Sequence, residues 1–560
     1  HNRHAWQVAW RSQCSYCNAQ RMLLPIFWRS GEHHTEPHSI QQFFEMFLTN
    51  LWRRYKRHLI YLSSLFLIYS VVARVMSQNG VKPKSFVNLH YVAVHIDLKG
   101  SPPKMTYLVS LLPILSMYGV NAILLEYEDM FPYVGSIANI SSMNAYKRTE
   151  LLTFINTART LQMEIIPLIQ TFGHMEYVLK LEEFAHLREN KTSSKDICPS
   201  KPDSLKLITA MLKQVIDLHD IIYPLNYIHV GCDEVKSLNT CPKCKERKLK
   251  SIDLFVNHVK EVSSIVRGVS PSTKVLIWGD MLKQFDTPQM YLLYNIEAVS
   301  WEYAAYPNFS HKYFYNLHKN FNNIWIASAY KGADGATATI PNIKTRFQNN
   351  LSWMKFILGY KFGGEKRVHN FEGIILTGWS RYTHEAPQCE LLPIAMPSLI
   401  LNLLLVQAVK NGIDHGDLDL HYCEFYKKYL SKEFSDIFLN HGDTDKKCAF
   451  ENTFLYVGHE KLFDNTLLLD CNHNLRNHES QCTRIKSYVE LKSTFTKCKK
   501  ALGKLTDIKE TMQKIMVKYY KNPIVNSYID EIANIPAKTI KEKIKYLKNC
   551  TKYPFSRRRN

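Results

Sequence analysis

Between Tyr91 and Tyr382 the chain repeats one unit, a short apolar run rich in β-branched and aromatic residues followed by an amphipathic stretch. Eight such runs occur, at Tyr91–Leu98, Val120–Tyr127, Glu164–Phe172, Tyr227–Val235, Lys274–Asp280, Ala298–Tyr303, Asn323–Tyr330 and Gly373–Trp379. Their apolar positions are continuous rather than alternating, the pattern of strands in a parallel sheet covered on both faces. Eight strand–helix units close a (β/α)8 TIM barrel, so the pattern predicts an α/β fold with one barrel over residues 90–405.

The flanks read differently. Leu59–Ala73 carries no charge and follows the basic cluster Arg53–Arg57. Extended over residues 58–76 it approaches the roughly 20 residues of a spanning helix, with Arg74 able to reach the interface. No small-x-small cleavage site follows closely, so an uncleaved signal-anchor is expected in preference to a cleaved signal peptide or a buried core helix. The basic cluster would hold the tail, residues 1–57, in the cytosol. Everything beyond a linker at 77–89 would then enter the lumen of the Golgi or another secretory compartment, as in a single-pass type II membrane protein. After residue 405, Lys-rich segments of helical spacing such as Tyr488–Lys500 and Ile508–Tyr520 predict a basic helical region over 406–560. It is read as helices packed on the barrel or as a partly independent bundle.

Composition adds limits. With 46% hydrophobic and 22% charged residues, disordered, collagen-like and small disulfide-stapled classes are excluded. The formal charge of +21 assigns no function by itself; the C-terminal basic residues read as a solvated face, and nucleic acid is not expected as a partner. Asn-x-Ser/Thr triplets at Asn139, Asn190, Asn308, Asn350 and Asn549 permit glycosylation in a lumenal protein. The 13 cysteines include the pairs Cys14/Cys17 and Cys241/Cys244. These lie far apart and neither is followed by a second pair at finger spacing, so a loop disulfide or free thiols is the expectation at Cys241/Cys244.

Polar residues gather at the C-terminal ends of the runs: His95, Asp97 and Lys99, then Glu126, Glu128 and Asp129, then His174, Asp233, Glu234, Asp280, Glu302 and Arg381. In a barrel those ends converge on one mouth. The sharpest signal is His229-Val230-Gly231-Cys232-Asp233-Glu234. Adjacent carboxylates raise at least one pKa, favouring a proton donor beside a carboxylate that stays ionised. A helix N-cap Asp with a first-turn Glu is the plain alternative. Trp278, Trp301, Tyr303, Tyr330 and Trp379 all fall at or near strand ends. A mouth walled by Trp and Tyr and floored by carboxylates suits a sugar.

His229-x-Gly231-x-Asp233-Glu234, with Gln170-Thr171-Phe172-Gly173-His174, resembles glycoside hydrolase family 20, the β-N-acetylhexosaminidases. His95–Gly100, Glu126–Tyr133, Trp278–Met281 and Thr377–Tyr382 are similar to one branch of that family, and the resemblance covers residues 90–400. The resemblance implies exo-acting, retaining hydrolysis of terminal N-acetylglucosamine or N-acetylgalactosamine, without cofactor or metal. It further implies that the substrate's own 2-acetamido oxygen is the nucleophile. Glu234 would be the general acid and Asp233 the residue that holds the acetamido N–H and stabilises the oxazolinium charge. Trp278, Trp301 and Trp379 would wall the N-acetyl pocket and Tyr330 would donate to the acetamide oxygen. Asp97, Lys99, His174, Asp280 and Arg381 would bind hydroxyls or orient the acids, with a core role for His174 as the alternative. An anchor departs from this branch, whose members stay in nucleus and cytosol. Two rivals are a metal-dependent hydrolase built on His95, Asp97, His174, His229 and Asp280, and a non-catalytic glycan-binding protein. The first lacks a His-x-His pair and leaves the aromatic wall without a use; the second leaves the acid pair without one.

Overall fold

The computed structural model describes residues 87–360, 371–413, 415–429 and 488–552. The expected tail, the anchor at 58–76 and the Cys14/Cys17 pair lie outside the described residues. Eight parallel strands close a barrel in chain order: β1 (Tyr91–Asp97), β2 (Ala122–Glu126), β3 (Glu164–Leu168), β4 (Tyr227–His229), β5 (Lys274–Trp278), β6 (Ile296–Trp301), β7 (Ile324–Lys331) and β8 (Gly373–Gly378). Each apolar run supplies one strand. Most are trimmed at the C-terminal end, where polar residues leave the ladder, and β4 keeps only three residues.

A helix follows each strand: α1 (Met105–Met117), α2 (Arg148–Thr160), α3 (Pro202–Asp220), α4 (Ser251–Val269), the single turn α5 (Thr287–Tyr291), α6 (His311–Asn320), α7 (Ile343–Gly359) and α8 (Leu392–Lys410). Side chains alternate faces along each strand. Ala93, Leu124, Leu168, Leu276, Trp325 and Ile375 fill the barrel interior, while Val94, Ile123, Ile165, Ile277, Ile326 and Leu376 pack outward under the helices. Both faces are apolar, which is why the runs are continuous. Among the described residues α8 is the one helix long and apolar enough to cross a membrane, and it is buried along most of its length against β7 and α7.

Beyond the barrel come α9 (Tyr422–Tyr429), α10 (Tyr488–Met516), α11 (Asn522–Ile529) and α12 (Ile535–Lys552). Met516, Tyr520, Val525, Tyr528 and Ile540 form a second core that includes Leu391 and Ile394 at the start of α8. The Leu392 N–H donates to Tyr520 Oη (3.3 Å) and the Lys104 N–H to the Tyr519 carbonyl (2.6 Å), tying this layer to the loop after β1. Of the glycosylation triplets, Asn139 and Asn308 are exposed. Asn350 is fully buried, accepting from Ser328 Oγ (2.7 Å) and donating to the Arg346 carbonyl, so a glycan is excluded there.

Candidate active site

The site is made by the way β4 ends. In a regular strand Asp233 and Glu234 would point to opposite faces. Here the chain turns after His229 through three left-handed residues, Gly231 (φ +70°), Cys232 (φ +71°) and Glu234 (φ +47°), and both carboxylates reach the mouth. Gly231 is required, because a Cβ there would lie 1.9 Å from Gln170 Oε1. Cys232, Glu234 and, on the facing loop, His174 (φ +53°) hold this conformation as non-glycine residues, at a cost of about 1–3 kcal/mol each. Such strain clusters at functional turns.

A cavity of about 260 Å³ opens at the mouth, and Lys99, His174, Asp233, Glu234, Trp301, Tyr303, Trp379 and Arg381 line it. His174 Nε2 lies 3.4 Å from Asp233 Oδ2 and 3.3 Å from Glu234 Oε2, so it is a site residue and not a core histidine. Lys195 Nζ is 3.3 Å from Glu234 Oε2, and Lys236 Nζ is 3.5 Å from its other oxygen. Burial alone would lower the His174 pKa, but the Asp233 charge and the hydrogen bond to Glu234 outweigh it and raise it above the ordinary 6.5. The same hydrogen bond, with help from Lys195 and Lys236, holds Glu234 far below the usual carboxylate range despite its partial burial. Burial raises Asp233 above 3.8, against the pull of His174. The adjacent acids are therefore split as expected, but with Asp233 as the raised member. The reason is exposure: the Glu234 side chain is 37% exposed and meets three cationic groups, whereas that of Asp233 is 9% exposed.

The floor is built around Lys99, whose Nζ lies 3.5 Å from Asp97, 3.6 Å from Glu126 and 3.2 Å from Glu128, and 5.5 Å from the Trp379 ring centre. Asp97 accepts from the Lys99 and Ser380 backbone N–H groups and so fixes the floor from below. Asp280 accepts from the Glu234 N–H (2.9 Å) and from Trp301 Nε1 (3.4 Å), which makes it an orienter of acid and wall. Arg381 is held by Ser101 Oγ and the Ala386 carbonyl.

Two expected wall residues sit deeper than the sequence reading placed them. Trp278 is fully buried beneath the cavity, 4.4 Å from His229 and 5.7 Å from Trp379 between ring centres. Tyr330 is fully buried too, because the two-residue period of β7 puts it on the opposite face from Trp325 and Ala327. Its ring fills the space over Gly378, and its hydroxyl donates to the His95 carbonyl (3.2 Å). That hydroxyl is therefore engaged away from the cavity lining, where the acetamide contact expected of Tyr330 would be made. Tyr303 stacks on Trp301 (5.0 Å, 21°) and lines the cavity with a buried hydroxyl beside Thr377 and Trp379. Sequence reasoning placed Tyr303 among the strand-end aromatics of the mouth without giving it a substrate contact, and did not find Lys195, which lies in a polar loop without a strand-end signal.

The imidazoles a metal hydrolase would need are committed separately. His229 Nδ1 accepts from the Gly231 N–H, His95 Nε2 pairs with Glu126 (3.0 Å), and His174 serves the acids. A barrel whose mouth joins two steered carboxylates to an aromatic wall is the construction of a carbohydrate hydrolase.

The family description "Glycosyl hydrolase family 20, catalytic domain" matches residues 113–317. The chain is similar to hexosaminidase D of Bos taurus, 38% identical over 329 residues that make up 57% of this chain and 92% of that protein. It is also similar to hexosaminidase D of Homo sapiens, 36% identical over 334 residues, 57% of this chain and 66% of that protein. The crystal structure of a β-N-acetylhexosaminidase from Bacteroides fragilis NCTC 9343 aligns with a TM-score of 0.44 at 16% identity, covering 62% of this chain and 70% of that one. The chain belongs to glycosyl hydrolase family 20.

Proposed function

We propose that the chain is an exo-acting β-N-acetylhexosaminidase that removes terminal N-acetylglucosamine or N-acetylgalactosamine by substrate-assisted, retaining hydrolysis. The observation that carries this is the arrangement of the acids. Asp233 and Glu234 share one imidazole nitrogen on one side of the cavity, so neither faces the other across the sugar as a nucleophile would. The buried acids of the floor, Asp97, Glu126 and Glu128, are engaged by Lys99. The substrate's acetamido oxygen is left to attack C1.

As that bond forms, the C1–aglycone bond breaks and the proton held by the His174/Glu234 pair passes through Glu234 to the leaving oxygen. Asp233 accepts the acetamido N–H and offsets the charge of the oxazolinium ring. Water then adds at C1 with its proton passing to Glu234, and the C1–acetamido bond opens. Two displacements retain the β configuration. Trp301 and Trp379 pack against the sugar's apolar face, and Tyr303 donates to the acetamide oxygen. Lys99, positioned by Asp97, and Arg381, positioned by Ser101 and the Ala386 carbonyl, take hydroxyls, while Asp280 orients Glu234 and Trp301. A cavity of about 260 Å³ is small for a ligand pocket and suits one ring. The purified full chain should release nitrophenol from both p-nitrophenyl N-acetyl-β-glucosaminide and the β-galactosaminide. A folded chain that cleaves neither would remove the assignment.

We further propose that residues 58–76 anchor the chain with its barrel in the secretory lumen. Supporting this are the basic cluster before the apolar run, the exposed acceptors Asn139 and Asn308, and Cys498, which is disulfide-bonded as suits an oxidising compartment. In sealed microsomes the barrel should resist protease. Glycosidase treatment should increase gel mobility, and Asn139→Gln with Asn308→Gln should reduce that shift. Full digestion of the barrel, or soluble nuclear and cytosolic fractionation with unchanged mobility, refutes the placement.

A further inference from the structure

We propose that Cys198, Cys241, Cys244 and Glu189 bind one zinc ion that fastens the loop after β3 to the loop after β4. The Cys-x-x-Cys pair opens a short helical turn, Pro242–Glu246, and the fold brings a third thiol to it from 43 residues earlier. Cys198 Sγ lies 3.2 Å from Cys241 Sγ and 3.6 Å from Cys244 Sγ. Glu189 completes the set. Its Oε1 accepts from the Thr240 and Cys241 N–H groups (2.7 and 3.0 Å), which leaves Oε2 facing the sulfurs, 3.2 Å from Cys244 Sγ. All four ligand atoms lie within 4.8 Å of one another, and all four residues are buried.

Three features favour an ion over other uses of these thiols. An odd number of thiols cannot be consumed by disulfides: pairing two would strand the third beside a buried carboxylate. Four ligands around zinc, with Zn–S bonds of about 2.3 Å, place sulfurs about 3.8 Å apart, close to the separations found. The sulfurs also have the outer hydrogen bonds that stabilise thiolates, from the Cys244 N–H to Cys241 Sγ (3.3 Å) and between Ser200 Oγ and Cys244 Sγ (3.1 Å). Soft thiolates select zinc over magnesium or calcium, and four protein ligands make a closed, structural site rather than a catalytic one.

The position gives the ion a purpose. Cys198 lies three residues beyond Lys195, which touches Glu234, and Asp196 accepts from the Ser237 N–H on the opposite loop (2.8 Å). Glu234 itself lies on that opposite loop, seven residues before Cys241. An ion at the base of both loops would hold the acid and its lysine in register.

Elemental analysis of the full chain, produced with zinc and purified without chelator, should find about one zinc per chain. Cobalt exchanged into the same protein should give the thiolate charge-transfer absorption and strong visible bands of a tetrahedral sulfur site. Cys198→Ser and Cys244→Ser should lose the metal, and Glu189→Gln should hold it more weakly. Three results overturn the proposal: zinc below about a tenth of an equivalent after loading, a Cys198–Cys241 or Cys198–Cys244 disulfide in the isolated protein, or zinc retained by soluble cysteine variants, which would assign the metal to other residues. The cobalt spectrum is read on the unsubstituted protein, so it decides the question even if a variant fails to fold.

Discussion

Glu234→Gln should lower kcat on a β-N-acetylhexosaminide by about 10²–10⁴-fold, the range for losing a general acid–base group, with the fold unchanged. Gln keeps an oxygen for His174 and Lys195, and the bond to Asp280 Oδ2 uses only the backbone N–H of residue 234, so the turn should survive. The loss should depend on the leaving group. An aglycone that departs without a proton should lose little in the first step, whereas an alkyl glycoside should lose the full factor, a contrast that a merely misfolded site would not show. The pH profile gives a second readout. Productive binding needs one proton on the His174/Glu234 pair and an ionised Asp233. The His174 pKa is raised above 6.5, so the proton stays on the pair until the pH passes that raised value, and kcat/KM falls on the alkaline side. The Asp233 pKa is raised above 3.8, so activity falls on the acid side earlier than for an ordinary aspartate. In Glu234→Gln the alkaline limb should flatten. Near-normal turnover of alkyl glycosides by the folded variant would take Glu234 out of the role.

Much of this site was legible in the sequence because barrel strands carry their chemistry at one end. Continuous apolar runs marked eight strands, and the polar residues gathered at or just beyond their C-terminal ends marked the mouth. What the runs could not show is depth. Trp278 and Tyr330 sit in the runs like wall residues, yet Trp278 lies one layer down in the barrel interior and Tyr330 faces the helix layer. Trp278 falls two residues after Leu276, on the same inward face, and Tyr330 three residues after Ala327, on the opposite one, and a two-residue period assigns faces even where both are apolar. Tyr303 follows β6 directly, where the strand period no longer fixes direction and stacking on Trp301 sets the ring instead. Lys195 and Cys198 are different again. They act through contacts 39 and 43 residues away in the chain, made by loops whose course no local pattern dictates. The pKa order of the two acids was illegible for the same reason, since it depends on cations those loops supply.

Asp233→Asn should cost turnover by a factor comparable to Glu234→Gln, but with a signature that separates the two. Asp233 acts only through the substrate's acetamido group, so its loss should weaken that group's contribution rather than proton transfer. In the unsubstituted chain a substrate with 2-hydroxyl in place of N-acetyl should be very poor, and a thiazoline mimic of the bicyclic intermediate should bind far more tightly than the free sugar, as transition-state mimics do. In Asp233→Asn both preferences should shrink together: the N-acetyl substrate falls towards the 2-hydroxyl one, and the thiazoline loses affinity while the free sugar changes little. Asparagine preserves shape and can still accept one hydrogen bond. What it removes is the charge, held in a side chain only 9% exposed, where it is worth most to a developing cation. His174 would lose one of its two carboxylates, and its pKa should drop, moving the alkaline limb of the profile to lower pH. Two results exclude this mechanism: a sugar trapped covalently on a protein carboxylate, or an Asp233→Asn variant that keeps its discrimination between N-acetyl and 2-hydroxyl substrates while losing turnover.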